Sequence, residues 1–137
     1  MSSGKAEGIP VRVPEGLPGF EEIHRYTIKE VPGNPMFFWL ESEKGPNFLL
    51  TKPGFFFPDY KVAIKEELLL EIAKQMEDVE VYTIATVPAE PVEMTANLLA
   101  PLLFNKKQGV ARQVILHDSP YSTRHPLFPP EKRRSSS

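Results

Sequence analysis

Fifteen prolines spread through 137 residues argue against a fold built on long helices. Each removes a backbone donor and clashes with the turn before it. Between them lie short runs that alternate with a period of two. Ile9–Val13 is a strand candidate ending at Pro14, and Glu15-Gly16-Leu17-Pro18-Gly19 is turn chemistry. Ile23–Glu30 sets His24, Tyr26 and Ile28 against Arg25, Thr27 and Lys29. Pro32-Gly33-Asn34-Pro35 turns the chain into the aromatic run Met36–Glu41, and Glu43–Pro46 forms a hairpin loop into Asn47–Thr51. Tyr60–Lys65 alternates again, with Val62 and Ile64 inward. The period then changes: Leu68, Leu69, Ile72, Ala73 and Met76 recur at helical spacing opposite Glu66, Glu67, Glu71 and Lys74, which predicts a short helix over 66–75.

Glu80–Val87 is a strand stopped by Pro88. Leu98–Phe104 contains Pro101, so it is either an edge strand or split by a bulge. Gly109–His117 alternates throughout. These runs predict a mainly β, small antiparallel β-barrel-like single domain with one short helix, spanning residues 9–128. Residues 1–8 and 129–137 have no apolar periodicity and are expected to be disordered tails, the second basic and serine-rich.

Charge is distributed unevenly. Residues 1–99 carry a balance of −7 and residues 100–137 one of +5. The densest acidic stretch holds Glu66, Glu67, Glu71, Glu77, Asp78 and Glu80. It is either a solvated face or a surface that repels nucleic acid and suits a basic protein. No apolar run reaches the ~20 residues that span a bilayer, and Met1–Gly8 has no hydrophobic signal core. With no cysteine there is no disulfide framework. A cytoplasmic protein without direct nucleic-acid or membrane binding is the expectation.

Catalytic templates fit poorly. There is neither GxGxxG nor GxxxxGK[ST]. His24, His117 and His125 are too far apart in sequence for a local zinc motif. His24 reads as a half-buried strand residue and the other two as surface groups. His117 and Asp118 are adjacent, so on an extended chain they point to opposite faces and cannot orient one another beside Ser119 or Ser122. No enzyme activity, metal or cofactor is expected. The aromatics gather at Phe37-Phe38-Trp39, most simply core, and at Phe55-Phe56-Phe57. Three consecutive rings cannot all point inward on an alternating strand, so this second run is either core around a bulge or a partly exposed binding spot.

Five motifs then recur in a familiar order: Gly16-Leu17-Pro18-Gly19-Phe20-Glu21, Pro53–Tyr60 (PGFFFPDY), Val81–Pro88 (VYTIATVP), Thr95–Leu102 (TANLLAPL), and Gln113–Leu116 followed by Tyr121, Arg124 and His125. Each is common alone, but in this order and spacing the chain resembles the flagellar assembly factor FliW family over residues 9–128. The resemblance implies a compact β-barrel-like protein, monomeric when free, that binds flagellin in the cytoplasm. It also implies binding to CsrA, the dimeric RNA-binding repressor of flagellin translation. Flagellin and CsrA would compete, so exported flagellin frees the protein to lift CsrA from the transcript without any catalysis. CsrA has basic surface, which makes Glu66, Glu67, Glu71, Glu77 and Asp78 its expected contact. Flagellin exposes amphipathic helices before assembly, which makes an apolar groove of Phe55, Phe56, Phe57, Asp59, Tyr60, Asn97 and Leu98 the expected receptor. Asn97 has two readings, a turn residue or a partner contact. The alternatives are a chaperone-like binding module for another exported protein, and a small hydrolase or sugar-binding barrel.

Overall fold

The computed structural model describes residues 8–43, 45–60, 62, 66–72, 78–116 and 120–128. The strands are β1 (Ile9–Arg12), β2 (Arg25–Val31), β3 (Asn34–Ser42), β4 (Asn47–Thr51), β5 (Val79–Thr86), β6 (Thr95–Ala96), β7 (Leu102–Asn105), β8 (Val110–Gln113) and β9 (His125–Pro126), with one helix, α1 (Glu66–Ile72), between β4 and β5. They run in the order β4-β3-β2-β1-β8-β7-β5, and β5 pairs back onto β4, so seven strands close into a barrel. A closed ring with an odd number of strands cannot be antiparallel throughout. The forced parallel seam lies between β1 and β8, at Arg12 opposite Val110, where the Arg12 N–H donates to the Gly109 carbonyl at 2.7 Å. Closure gives each barrel strand a neighbour on both sides, with the β1–β8 seam made by a single residue pair.

Period-two alternation sorts the side chains into two layers. Val11 and Val13, Tyr26 and Ile28, Leu40, Leu50, Tyr82, Leu102, Phe104 and Ala111 fill the barrel interior, with Phe38, Phe48 and Ile84 completing it. Two further clusters form on its outside. Ile72 of α1 packs with Leu103 and Val114, against Val79 and Val81. On another part of the wall, Phe37, Leu49 and Ala85 are covered by Met94, Ala96, Leu98, Leu127 and the aromatic segments around 56–60 and 121–128. The outer face of β1 and β2 carries polar residues instead, with Arg12 and Arg25 exposed.

Several segments differ from the sequence expectation, each for a local reason. The β2–β3 turn is only Pro32-Gly33, because Val31 already pairs with Asn34. Proline followed by a glycine at φ 76 suits a type II turn. Pro35 stands inside β3 where the register shifts, so no ladder bond to β2 is lost. The expected strand at Leu98–Phe104 is strand only from Leu102, as β7 (Leu102–Asn105), and a separate short strand precedes it. Thr95–Ala96 pairs with the far end of β5, a turn follows, and β7 begins just after Pro101. β7 is therefore central, flanked by β5 and β8, and not an edge. β8 stops at Gln113, but extended bonding continues, with Val114 N–H on the Pro101 carbonyl at 3.0 Å and Leu116 N–H on the Leu99 carbonyl at 2.8 Å. Tyr60 and Val62 are not in a strand, and the rest of the expected strand 60–65, helix residues 73–75, both tails apart from Gly8, and His117 lie outside the described residues.

Candidate protein-binding surfaces

After β4 the chain enters a tight turn led by Pro53, which occupies the first position of a 3₁₀ turn over Pro53–Phe55. Successive N–H groups fold back: Phe55 onto Lys52 O (3.1 Å), Phe56 and Phe57 onto Pro53 O (3.0 and 2.7 Å), and Tyr60 onto Phe57 O (2.9 Å). Helical winding here splays the three phenylalanines where a strand would alternate them. Phe55 is left 54% exposed. Phe56 packs on Phe37 and, edge-on, on Phe128 at 5.9 and 6.1 Å between centroids. Phe57 meets His125 edge-on at 5.1 Å, and Tyr60 packs at a tilt against Tyr121 at 4.7 Å. Asp59 is exposed at the same corner.

The two expected halves of the apolar surface do meet. The Tyr60 hydroxyl donates to the Leu98 carbonyl at 2.6 Å. Burial, and then the neighbouring Tyr121, push the Tyr60 phenol well above its ordinary range, so it remains a donor. Leu98 itself is fully buried, which leaves its side chain unreachable to a partner. Asn97 is half-buried, and its Oδ1 accepts the Ala100 N–H at 3.0 Å, the local turn bond that its side-chain chemistry favours. What a partner can touch is Phe55 and Asp59, backed by Phe56, Phe57 and Tyr60. Sequence reasoning gave no site role to Tyr121, His125 and Phe128, which complete the cluster. Their only signal was that Tyr121 and His125 fall inside the last recurring motif.

The acidic residues sit on α1 and at the approach to β5. Glu67 is exposed, and Glu71, four residues on, shares its side of the helix. Glu71 accepts from Arg112 of β8. Asp78 pairs with Lys107 at 3.1 Å. Glu80 pairs with Lys106 at 3.1 Å and more loosely with Lys52 at 3.8 Å, and also accepts the Tyr82 hydroxyl at 2.9 Å. Burial raises the Glu80 carboxyl, but the Tyr82 hydrogen bond, Lys106 and Lys52 outweigh it and hold it below its ordinary value. The sequence-level charge asymmetry is thus partly internal: basic residues of the last third neutralise acidic ones before them. Glu67 forms no ion pair among the described residues. The Glu66 side chain and Glu77 lie outside them.

The histidines differ from their expected settings. His24 is exposed just before β2, with Nε2 2.8 Å from the Glu21 carbonyl, whereas His125 is half-buried in the aromatic cluster. Among the described residues no group of three or more His, Cys, Asp or Glu is placed to hold a metal ion, and no helix is long and apolar enough to cross a membrane.

Comparison with known proteins places this barrel. The family model described as FliW protein matches residues 3–127. The flagellar assembly factor FliW of Symbiobacterium thermophilum is 44% identical over 119 residues, 84% of this chain and 86% of that one. That of Bacillus subtilis is 43% identical over 117 residues, 82% of this chain and 80% of the other. A crystal structure of the flagellar assembly factor FliW superimposes with a TM-score of 0.81 at 33% identity, covering 88% of this chain and 86% of that one. Sequence and structure agree over nearly the same span, and the chain belongs to the FliW family.

Proposed function

We propose that this protein is a cytoplasmic flagellar assembly factor that works by exchanging protein partners, holding flagellin before export and sequestering CsrA when flagellin is scarce. The observation that carries the reading is the family match across almost the whole chain, to proteins named for flagellar assembly. The mechanism needs two affinities and a linkage between them, and it needs no reaction.

For flagellin, the proposed receptor is the corner formed by Phe55, Phe56, Phe57, Asp59 and Tyr60, with Asn97 and Leu98 supporting it from below. An exposed phenylalanine next to a packed aromatic cluster is the kind of anchor that dominates protein interfaces. For CsrA, the proposed surface is the acidic side of Glu66, Glu67, Glu71, Glu77 and Asp78. Glu67 is its free charge among the described residues, while Glu71 and Asp78 would have to share their present partners or release them.

The reading is tested by capture from a lysate of the source bacterium on immobilised protein. Recovery of flagellin and CsrA is expected. Recovery of a different exported protein without either of them would favour the chaperone-like alternative. Phe55→Ala is expected to weaken flagellin binding roughly tenfold while leaving CsrA binding unchanged. Unchanged flagellin affinity would remove Phe55 from the receptor.

A further inference from the structure

On the outer face of β1 and β2, Arg12 lies directly opposite Arg25 in the antiparallel register. Both side chains leave the barrel on the same side, because Val11 and Tyr26, their neighbours in sequence, point into the core. Both arginines are exposed, and neither forms an ion pair among the described residues. Like charges facing each other across two strands repel and destabilise the pairing. Of the two carboxylates on this groove, Glu41 is held by Lys29 at 3.0 Å, and Glu43 forms no ion pair with either arginine among the described residues. The two arginines line an open groove of about 650 Å³, with Thr27 and Glu43 among its other walls. That volume lies within the range of clefts that hold a small ligand or a few side chains.

We propose that Arg12 and Arg25 form a docking site for a carboxylate-bearing segment of a protein partner, distinct from the surfaces assigned above to flagellin and CsrA. Two guanidinium groups on neighbouring strands can converge on one carboxylate, each donating in its planar fork. The bound carboxylate removes the repulsion that the free protein carries, so docking is favoured by relief as well as by contact. A peptide fits better than a nucleic acid because Glu41 and Glu43 line the same groove. They would repel a polyanion laid along it, yet they leave room for a single acidic side chain between the arginines and suit a basic or polar residue beside it.

The test uses the full chain and four probes: an acetylated, amidated hexapeptide with two central glutamates among glycines and serines, the same peptide with glutamines, inorganic phosphate, and a ten-nucleotide RNA. Binding is followed by the Nε–H resonances of Arg12 and Arg25. The expected result is that the glutamate peptide shifts both resonances, the glutamine peptide does not, and Arg25→Gln weakens the glutamate peptide at least tenfold. Arg12→Gln and Arg25→Gln are each expected to raise the melting temperature by a few degrees, since each removes a repulsion. The proposal is overturned if both peptides bind equally or not at all, if phosphate or the RNA matches or exceeds the glutamate peptide, or if either substitution lowers the melting temperature.

Discussion

The Tyr60 hydroxyl and the Leu98 carbonyl, 38 residues apart in the chain, are joined by a 2.6 Å hydrogen bond. This bond ties the Phe55–Tyr60 corner to the segment that leads into the central strand β7, and so fixes the aromatic surface to the barrel wall. Tyr60→Phe keeps the ring on Tyr121 but leaves the Leu98 carbonyl without its donor. The expected loss is about 1–2 kcal/mol, read as a lower urea midpoint with an unchanged slope. No change in midpoint would mean that the corner is held by ring packing alone.

The Glu80–Tyr82 pair predicts how stability depends on pH at both ends. Glu80 sits below its ordinary 4.5 in the folded state. Its contribution is therefore complete above pH 4.5 and lost as pH falls through the lowered folded value. Tyr82 is pushed above its ordinary 10.0, first by burial and then by the hydrogen bond to Glu80. Its contribution is complete below pH 10.0 and lost as pH rises beyond it. Urea midpoints measured from pH 3 to 11 are expected to fall at both limits. Tyr82→Phe should reduce both falls, leaving at alkaline pH the part owed to the raised phenols of Tyr60 and Tyr26, at a cost on the order of 1 kcal/mol at neutral pH.

Two glycines of the β1–β2 connection should respond differently to the same substitution. Gly16 has φ 69, and a Cβ there would stand 2.5 Å from the Glu21 Cα and 2.6 Å from its carbonyl oxygen. Gly19 has φ 86 with open space around it. Gly19→Ala should cost about 1 kcal/mol, from the left-handed backbone alone. Gly16→Ala adds a backbone collision and should cost roughly 2–4 kcal/mol. Equal thermal shifts for the two variants would contradict this packing of the turn.

These contrasts also mark where the fold was legible from residues. Tyr26 and Ile28 alternate with Thr27 and Lys29, and the barrel interior takes the first pair as the pattern predicts. The change of period after Lys65 foretold α1, in which Ile72 is buried. Pro101 misled because its effect depends on one position: standing just before β7, it removes no ladder donor, so the strand could be central. Phe55-Phe56-Phe57 could not be resolved because the proline ahead of them starts helical winding that alternation does not anticipate. The pairings of Glu71 with Arg112 and Asp78 with Lys107 were invisible for another reason. They join residues brought together only when β8 and the β7–β8 loop reach α1 and β5. At the candidate site, the Phe55–Tyr60 and Asn97–Leu98 segments were both picked out by motif, but that they touch is a product of the closed barrel.

Glu67 and Glu71 separate a free charge from a paired one. If the acidic side of α1 meets CsrA, Glu67→Lys should weaken binding about tenfold at low salt, with the difference shrinking as salt rises. Glu71→Lys should also lower protein stability slightly, by up to about 1 kcal/mol, because it sets two cations together at Arg112. Calorimetry across a salt series, with thermal melts of each variant, checks both. CsrA affinity unaltered by Glu67→Lys would remove this residue from the interface.

Partner exchange itself is tested by a displacement titration. The protein is first saturated with fluorescently labelled CsrA, and flagellin is then added while anisotropy is followed. The account predicts that flagellin releases CsrA in a saturable manner, and that Phe55→Ala shifts the displacement curve to roughly tenfold higher flagellin. Simultaneous, independent binding of both proteins, or binding of neither, would contradict it.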